Sequence, residues 1–408
     1  MVDELAGKPI GERIRIIRTR QGKSRAAVAG LVGKSESWLK KVERLERESP
    51  RFEDLVALGR VLGVRDLTEL VGEQAVPIGM GRQALHDAVP AIREAIEETP
   101  LRVNPDPWPD TTELKRRVDS AWKVWHSSRT PRADVGRVMP ELIRDCERAM
   151  RVLDGEERRK AAASLSEVYA LAEQVLAWVA EPALVWLVSD RCMRAAQQAD
   201  DPLVIAGAAW VLGNVHRSAN REEEALLLAD EAASLLAPYL DSGSDDQRAV
   251  WGALRLHGAI TAARMSREGD ALHRLDQGEA MARRMPDGYA HPWTLFGSVN
   301  VDFTGVSVTV DLQQSRSAVS RASSDLDPDR MPSIDRRARL WLEMARSYHQ
   351  AGDQPGTLAI LQRASSVSLE AMRSHPISRS IAGELVTSGG PMVQREARVL
   401  ARDLGLTV

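Results

Sequence analysis

Phenylalanine and tyrosine are scarce in this chain: 408 residues hold 3 Phe and 4 Tyr, and ten tryptophans make up the rest of the aromatic content. β-Sheets draw on aromatic and β-branched side chains, so this shortage, beside abundant Ala and Leu, points to helices. Cysteine is scarcer still. Cys146 and Cys192 cannot by themselves make a disulfide framework or a metal cage, and they read as small buried hydrophobes of a reducing compartment. No cofactor and no metal is expected. Long apolar runs are also missing. The longest, "VLAWVAEPALVWLV" from Val175 to Val188, is broken by Glu181 and Pro182 and is too short to cross a bilayer. The opening "MVDELAGKPI" has no charged start followed by an apolar core, so no signal peptide is read and a cytoplasmic location is expected. There is no P-loop, no GxGxxG after a strand, no HExxH and no GxSxG. The eight histidines are dispersed, and His291 and His375 each precede Pro, which suggests loop roles. These absences point away from catalysis.

Lysine is the next shortage, and it is uneven. Five of the eight lysines lie in the first 41 residues and none follows Lys160. Met1 to Arg51 carries thirteen Lys/Arg against seven Asp/Glu, a local charge of +6, so the remainder of a chain of net −3 carries −9. Positive charge gathered on a small unit is what phosphate binding needs, because neutralised phosphates release counterions. A charge run alone is equally compatible with a solvated face.

What is present is helical punctuation. At this length two or more domains are expected. Residues 8 to about 72 read as five short helices. Ile10, Ile14 and Ile17 give a first apolar stripe, ended by Gln21-Gly22. Ser24 is a good N-cap for a second helix with Val28 and Leu31 inward, and Gly33 marks a tight turn. Ser35 can cap a third helix carrying Leu39 and Val42. Pro50 stops the chain, and Leu55, Leu58 and Leu62 begin a fourth helix, followed by a last short one in "RDLTELVG". Residues 76–112 read as a helical linker in which Leu85, Val89, Ile92 and Ile96 share a face and Pro90 predicts a kink. "NPDPWPD" then marks a boundary.

From residue 113 to 408 one helical pattern follows another. "SVTVDL" near Val308 is the only strand candidate, and it sits inside a helical spacing. The pattern repeats. "AWVLGNVHRSANREEEALLLADEA", from Ala209, has the small-residue spacing of a tetratricopeptide unit. Gly213 there lets the paired helices approach, Ala225 and Ala232 supply complementary small sites, and His216 takes an aromatic place. "WLEMARSYHQAGDQPGTLAILQRA", from Trp341, fits through Met344, Ala345, Tyr348, Gly352, Asp353 and Ala364, with Thr357 in place of one Ala. Such a unit cannot bury its apolar face alone, so several must stack into a curved solenoid. The first helix of each pair then lines the concave side. That places Trp210, Asn214, Asn300, Arg339, Leu342, Arg346 and His349 there as candidate effector contacts, or as residues that merely solvate the groove.

The segments "IGERIRIIRTRQGKS", "AVAGLVGKS", Glu43, Pro50-Arg51-Phe52 and "LVALGRVLGV" stand in the order, and without insertion, of the XRE family, the lambda- and Cro-repressor-like helix-turn-helix regulators, which this unit resembles. The resemblance covers roughly residues 10 to 70. It implies that Ser24–Leu31 crosses the DNA backbone and Ser35–Arg44 enters the major groove. It makes Arg18 and Glu43 a structural ion pair, Arg25 and Arg51 phosphate contacts, and Ser35, Glu36, Ser37, Lys40 and Lys41 the DNA-facing set. Lys41 could donate to guanine and Glu36 accept from cytosine, although Glu36 could equally serve the helix dipole. Leu45 departs from the pattern, standing where the family has a turn glycine. The repeat region is similar to that of actinobacterial XRE regulators with tetratricopeptide-like effector regions, through "SEVYALAEQVLAWVAEPALVWLVSDRCMRAA", "FGSVNVDFTGVSVTV" and "SHPISR".

The expectation is an all-α protein: a five-helix helix-turn-helix domain over residues 1–75, a linker, then an α-solenoid of tetratricopeptide-like helix pairs. Its expected partners are double-stranded operator DNA, a second copy of itself, and a small molecule, peptide or protein in the repeat groove. No membrane partner is expected. The alternative is an interaction adaptor in which the first domain serves assembly.

Overall fold

The chain is all-α in a computed structural model that describes residues 5, 8–44, 50, 52–64, 67–71, 86–98, 110–314, 317–320 and 327–406. No strand occurs among the described residues. The first unit comprises α1 (Ile10–Arg20), α2 (Arg25–Leu31), α3 (Glu36–Glu43), α4 (Phe52–Val61) and α5 (Thr68–Val71). Ile14 and Ile17 share an inner face, as their spacing dictates, and meet Val28, Leu39, Val42, Leu58 and Leu62 in one core. Ser24 Oγ accepts from the Ala27 N–H at 3.0 Å and Ser35 Oγ from the Trp38 N–H at 3.2 Å, so both serines cap the helices that follow them. Gly33 sits at φ +70°, where the Lys34 N–H can reach back to the Ala29 carbonyl at 2.8 Å; a Cβ would strain that turn. Leu31, expected inside, is half-buried. The helix ends there, and the turn carries Val32 into the core instead.

Pro90 does not kink its helix. It lies in the first turn of α6 (Val89–Glu97), where its missing N–H is not needed. Val89, Ile92 and Ile96 of α6 are buried in the core of the repeat region, so this stretch packs on that body rather than spanning free between domains. Leu85 lies outside the described residues.

The repeat region then runs through α7 (Thr111–Ser127), α8 (Pro131–Val152), α9 (Gly155–Leu176), α10 (Pro182–Ala199), α11 (Pro202–Ser218), α12 (Glu222–Leu236), α13 (Asp245–Arg264), α14 (Glu268–Ala282) and α15 (Ser298–Asp311). It closes with α16 (Ile334–Gln350), α17 (Gln354–Val367), α18 (Leu369–Ser374), α19 (Pro376–Ser388) and α20 (Pro391–Asp403). Consecutive helices pack on one another, and one continuous apolar core runs from α6 to α15, with a second through α16 to α20. "SVTVDL" is helical within α15, as its spacing predicts. Ala225, Ala232, Ala345 and Ala364 are buried at the close approaches, and Asp353 caps α17. Gly213 differs from expectation. A Cβ there would lie 2.8 Å from His257 Cε1, so the glycine makes room for α13 of the next pair rather than for its own partner helix.

The row of helices curls until its last units touch its first. The Glu370 carboxylate of α18 accepts the backbone N–H groups of Arg132 at 2.9 Å and Ala133 at 3.2 Å, satisfying the open N-terminus of α8 from 238 residues away. Ser368 Oγ donates to the Arg129 carbonyl at 3.1 Å, and the His375 ring stands 4.4 Å from that of Trp178. The row therefore bends back on itself around an inner face, called here the lumen.

Candidate nucleic-acid interface

The third helix is held by charge as well as by packing. Arg18 reaches from α1 to Glu43 of α3 with Nε to Oε1 at 2.6 Å and Nη2 to Oε2 at 3.0 Å, while its Nη1 donates to the Lys23 carbonyl at 2.8 Å. Both side chains are buried, so the bidentate geometry and the satisfied donors are what make the pair tolerable. Arg25 completes the clamp: its Nε donates to Glu43 Oε2 at 2.8 Å and its Nη1 lies 3.8 Å from Glu36 Oε1. The expected phosphate contact is thus an internal ion pair as well. The Arg25 side chain stays 36% exposed because Glu43 takes only one edge of the guanidinium.

With α3 fixed, Trp38 and Leu39 face the core and Glu36, Ser37, Lys40 and Lys41 face outward. Ser37, Lys40 and Lys41 make no ion pair or side-chain hydrogen bond among the described residues. Ser35 lies half-buried at the N-terminus of the helix with its hydroxyl engaged as the cap. Arg51 and Leu45 lie outside the described residues. The outer face of α3 is a short strip of one carboxylate, one hydroxyl and two ammonium groups, presented N-terminal end first. Such a strip can meet base edges and phosphates, since Lys donates and carries charge and the serine hydroxyl both donates and accepts.

The opposite side of this unit is not free. Helix α2 and the turn after it lie against the repeat body. Gln313 Nε2 donates to the Ala26 carbonyl at 2.7 Å, and Ser380 Oγ donates to the Val32 carbonyl at 2.6 Å. A Cβ on Gly30 would lie 3.2 Å from Gln313 Nε2 and 3.4 Å from Arg346 Nη2, so the glycine lets these side chains lie close against the helix. Lys34 Nζ stands 3.4 Å from both Asp54 and Glu384. Lys23 Nζ is buried, donating to the Val61 carbonyl at 2.9 Å and Asn220 Oδ1 at 2.8 Å, with Glu222 at 3.2 Å; Asn220 Nδ2 donates to the Arg60 carbonyl at 2.8 Å. Burial pulls the Lys23 ammonium below its ordinary pKa and Glu222 pushes it back up. None of this set was legible in advance, because its members are separated by up to 348 residues. Lys23 by itself reads as a solvated lysine after a turn.

The candidate effector residues divide. Trp210 is buried in the core of the repeat body, and Asn214 is partly exposed, its Oδ1 accepting from Arg217 Nη2 at 2.8 Å and lying 3.0 Å from His257 Nε2. Arg339 is partly exposed too, its guanidinium 4.5 Å from the Trp178 ring and its Nε 2.8 Å from Asp335. Arg346 is not an open contact. It is buried between Asp311 at 2.8 Å and Glu343 at 2.6 Å, because a buried guanidinium needs carboxylates around it. His349 faces Glu384 at 3.7 Å beside the Gly33 backbone, so it sits at the junction with the first unit. Asn300 is buried with its amide donating to the Thr294 carbonyl at 3.4 Å, and Leu342 is a core residue; neither reaches the groove. Among the described residues no group of three or more His, Cys, Asp or Glu could hold a metal ion, and no helix is long and apolar enough to cross a membrane.

No curated protein matches this chain. Among solved structures, the crystal structure of BtubC (BKLC) from P. vanneervenii is similar over 62% of this chain and 90% of that one, at 13% identity and a TM-score of 0.35, which is too slight to carry an argument. Residues 9–71 match the family described as helix-turn-helix domain, the same stretch in which α2, the Gly33 turn and the clamped α3 occur. This chain therefore contains a helix-turn-helix DNA-binding domain.

Proposed function

We propose that the protein is a sequence-specific transcriptional regulator of the XRE type, acting in the cytoplasm as a homodimer on operator DNA, with a tetratricopeptide-like repeat body that senses an effector. No catalysis enters the proposal. The observation that carries it is the outer face of α3, where Ser37, Lys40 and Lys41 are exposed and, among the described residues, unpaired, on a helix whose inner face is locked by Arg18 and Glu43. A rigid strip of donors on the third helix of this domain suits a major groove. The repeat body holds the back of the same unit through Gln313, Ser380 and Lys23. An effector that binds two arrangements of that junction unequally would shift DNA affinity.

Selection of binding sites from random DNA, followed by salt titration of the preferred site, tests this reading. Affinity should fall steeply with salt and a preferred site should emerge. Lys41→Ala together with Ser37→Ala should erase the preference at the bases they face, at about 1–3 kcal/mol per lost contact, whereas Lys40→Ala should weaken all DNA about equally. If no preferred site emerges and these variants leave binding unchanged, the adaptor reading takes its place.

A further inference from the structure

The lumen holds arginines that lack carboxylate partners. Arg336 of α16 has no ion pair or side-chain hydrogen bond among the described residues; its guanidinium lies 5.9 Å from the Trp210 ring of α11. Arg217, one turn beyond Asn214 on α11, is answered only by neutral groups: Asn214 Oδ1 at 2.8 Å, and the His257 carbonyl and Thr261 hydroxyl at 3.4 Å each. Behind them Arg132 is fully buried with no hydrogen bond on any of its three guanidinium nitrogens, facing Asp335 at 3.8 Å and the Trp125 ring at 5.5 Å. Arg264 and Arg346 share Asp311, and Arg339 takes Asp335. Glu343 pairs with Arg346, and Glu173 of α9 bonds Gln174 and acts on Arg339, Arg336 and Arg217 only through space. Burial raises its pKa to about 7, so it contributes only part of a negative charge at neutral pH.

Arg217 and Arg336 are half-buried by surface area, yet burial and neighbouring arginines depress them to about 9 and about 10. Both guanidinium groups nevertheless stay partly accessible. An uncompensated charge in such a place is costly, and a planar guanidinium answers a carboxylate or phosphate with two parallel hydrogen bonds. The two arginines are joined through a continuous chain of contacts, Arg336 to Trp210, Trp210 to His257 at 6.4 Å, His257 to Asn214 and Asn214 to Arg217. The indole rings of Trp178 and Trp210 hold Arg339 and Arg336 in place across the same space.

We propose that the lumen binds an anionic small molecule, carrying a carboxylate or a phosphate, clamped between Arg217 on α11 and Arg336 on α16 against the walls formed by Trp178 and Trp210. Such a ligand joins the middle of the repeat row to its returning end. Nearby, Arg264 shares Asp311 with Arg346, whose Nη2 lies against Gly30 of α2 at the junction with the first unit. This site rests on the reading of the repeat body as a sensor and names the class of its ligand.

Thermal unfolding of the full chain in chloride buffer, with inorganic phosphate or citrate added at millimolar concentration against sodium chloride of equal ionic strength, tests the site without DNA. At least one anion should raise Tm by several degrees beyond the chloride control. A response to phosphate alone assigns a phosphate ligand, and a response to citrate alone a carboxylate one. Arg336→Gln and Arg217→Gln should each cut the affinity for that anion at least tenfold in calorimetric titration. Arg336→Lys, which keeps the charge and loses the fork, should cut it at least threefold and covers the case in which a Gln variant does not fold. The site is overturned if neither anion exceeds chloride, or if the folded variants respond as the parent does. Because no DNA is present, a failure of operator binding leaves this result standing, and a failure here leaves the DNA-binding reading standing.

Discussion

Glu43 ties the first three helices of the domain together. It accepts from two arginines that come from different helices, and it does so almost without water. Removing it leaves Arg18 buried without a carboxylate, which is costlier than removing both partners. Glu43→Ala should destabilise the domain by about 3–5 kcal/mol, and Arg18→Met with Glu43→Leu should cost clearly less. Chemical denaturation followed on α1–α5 by amide exchange would compare the two. Equal losses would mean that the pair is held by packing alone.

Titration belongs to the same scale. Burial holds His126 and His291 down at about 4 against an ordinary 6.5, and pushes His257 and His375 well below their ordinary range. A histidine depressed in the fold contributes stability that is present above 6.5 and is lost as pH falls toward 4. Glu167 and Glu173 act oppositely: burial lifts both to about 7, so their cost is present at pH 7 and is relieved as pH falls toward 4.5. Burial also lowers His216 and His349 and raises Glu343, and six histidines outweigh three glutamates, so Tm should fall between pH 6.5 and 4.5. His126→Gln keeps a donor for the Pro292 carbonyl and should make that fall shallower. A Tm that rises on acidification would contradict the assignment.

At the scale of elements, glycine decides how closely helices pack. A Cβ on Gly252 of α13 would lie 2.1 Å from Phe296 Cζ, and Phe296 is fully buried with nowhere to move. Gly252→Ala should cost about 1–3 kcal/mol through overpacking, more than the gain of about 1 kcal/mol in helix propensity. Gly383 of α19 has open space where its Cβ would go. Gly383→Ala should therefore stabilise by roughly 0.5–1 kcal/mol. Paired urea melts of the two variants should move in opposite directions. If both stabilise, the α13 contact with Phe296 is not tight.

The whole molecule is a ring of helices with the DNA-binding domain seated against it through its second helix. Lys23 and Glu222 form the buried charge pair of that seat, with side chains 3% and 9% exposed. Glu222→Ala leaves the ammonium buried without a carboxylate and should loosen the junction. Exchange of the α2 amides should then quicken at least tenfold, while amides in the α13–α14 core keep their protection. Unchanged exchange in α2 would mean that the junction is held by Gln313 and Ser380 instead.

The sequence alone determined what depends on near neighbours. Helix caps at Ser24 and Ser35, the Gly33 turn and the inward faces of α1, α3 and α4 all follow from 3.6-residue spacing and local hydrogen bonds, and they hold in the structure. The exposed strip on α3 came from the family's pattern, and the helical period that turns Leu39 and Val42 inward agrees with it. The Arg18–Glu43 pair came from the family's pattern rather than from spacing. Tertiary structure decided the rest. Whether a residue in a repeat faces a groove, a neighbouring helix or another domain depends on how pairs stack, so Asn300, Arg346 and Trp210 turned inward while Asn214 stayed partly exposed. Arg217 and Arg336 carry no local signal, because what marks them is a carboxylate that the fold does not bring. The seat of the first domain, joining Val32 to Ser380, became visible only when the chain had curled back on itself, since hydrogen bonds and ion pairs act over a few ångströms and not along the sequence.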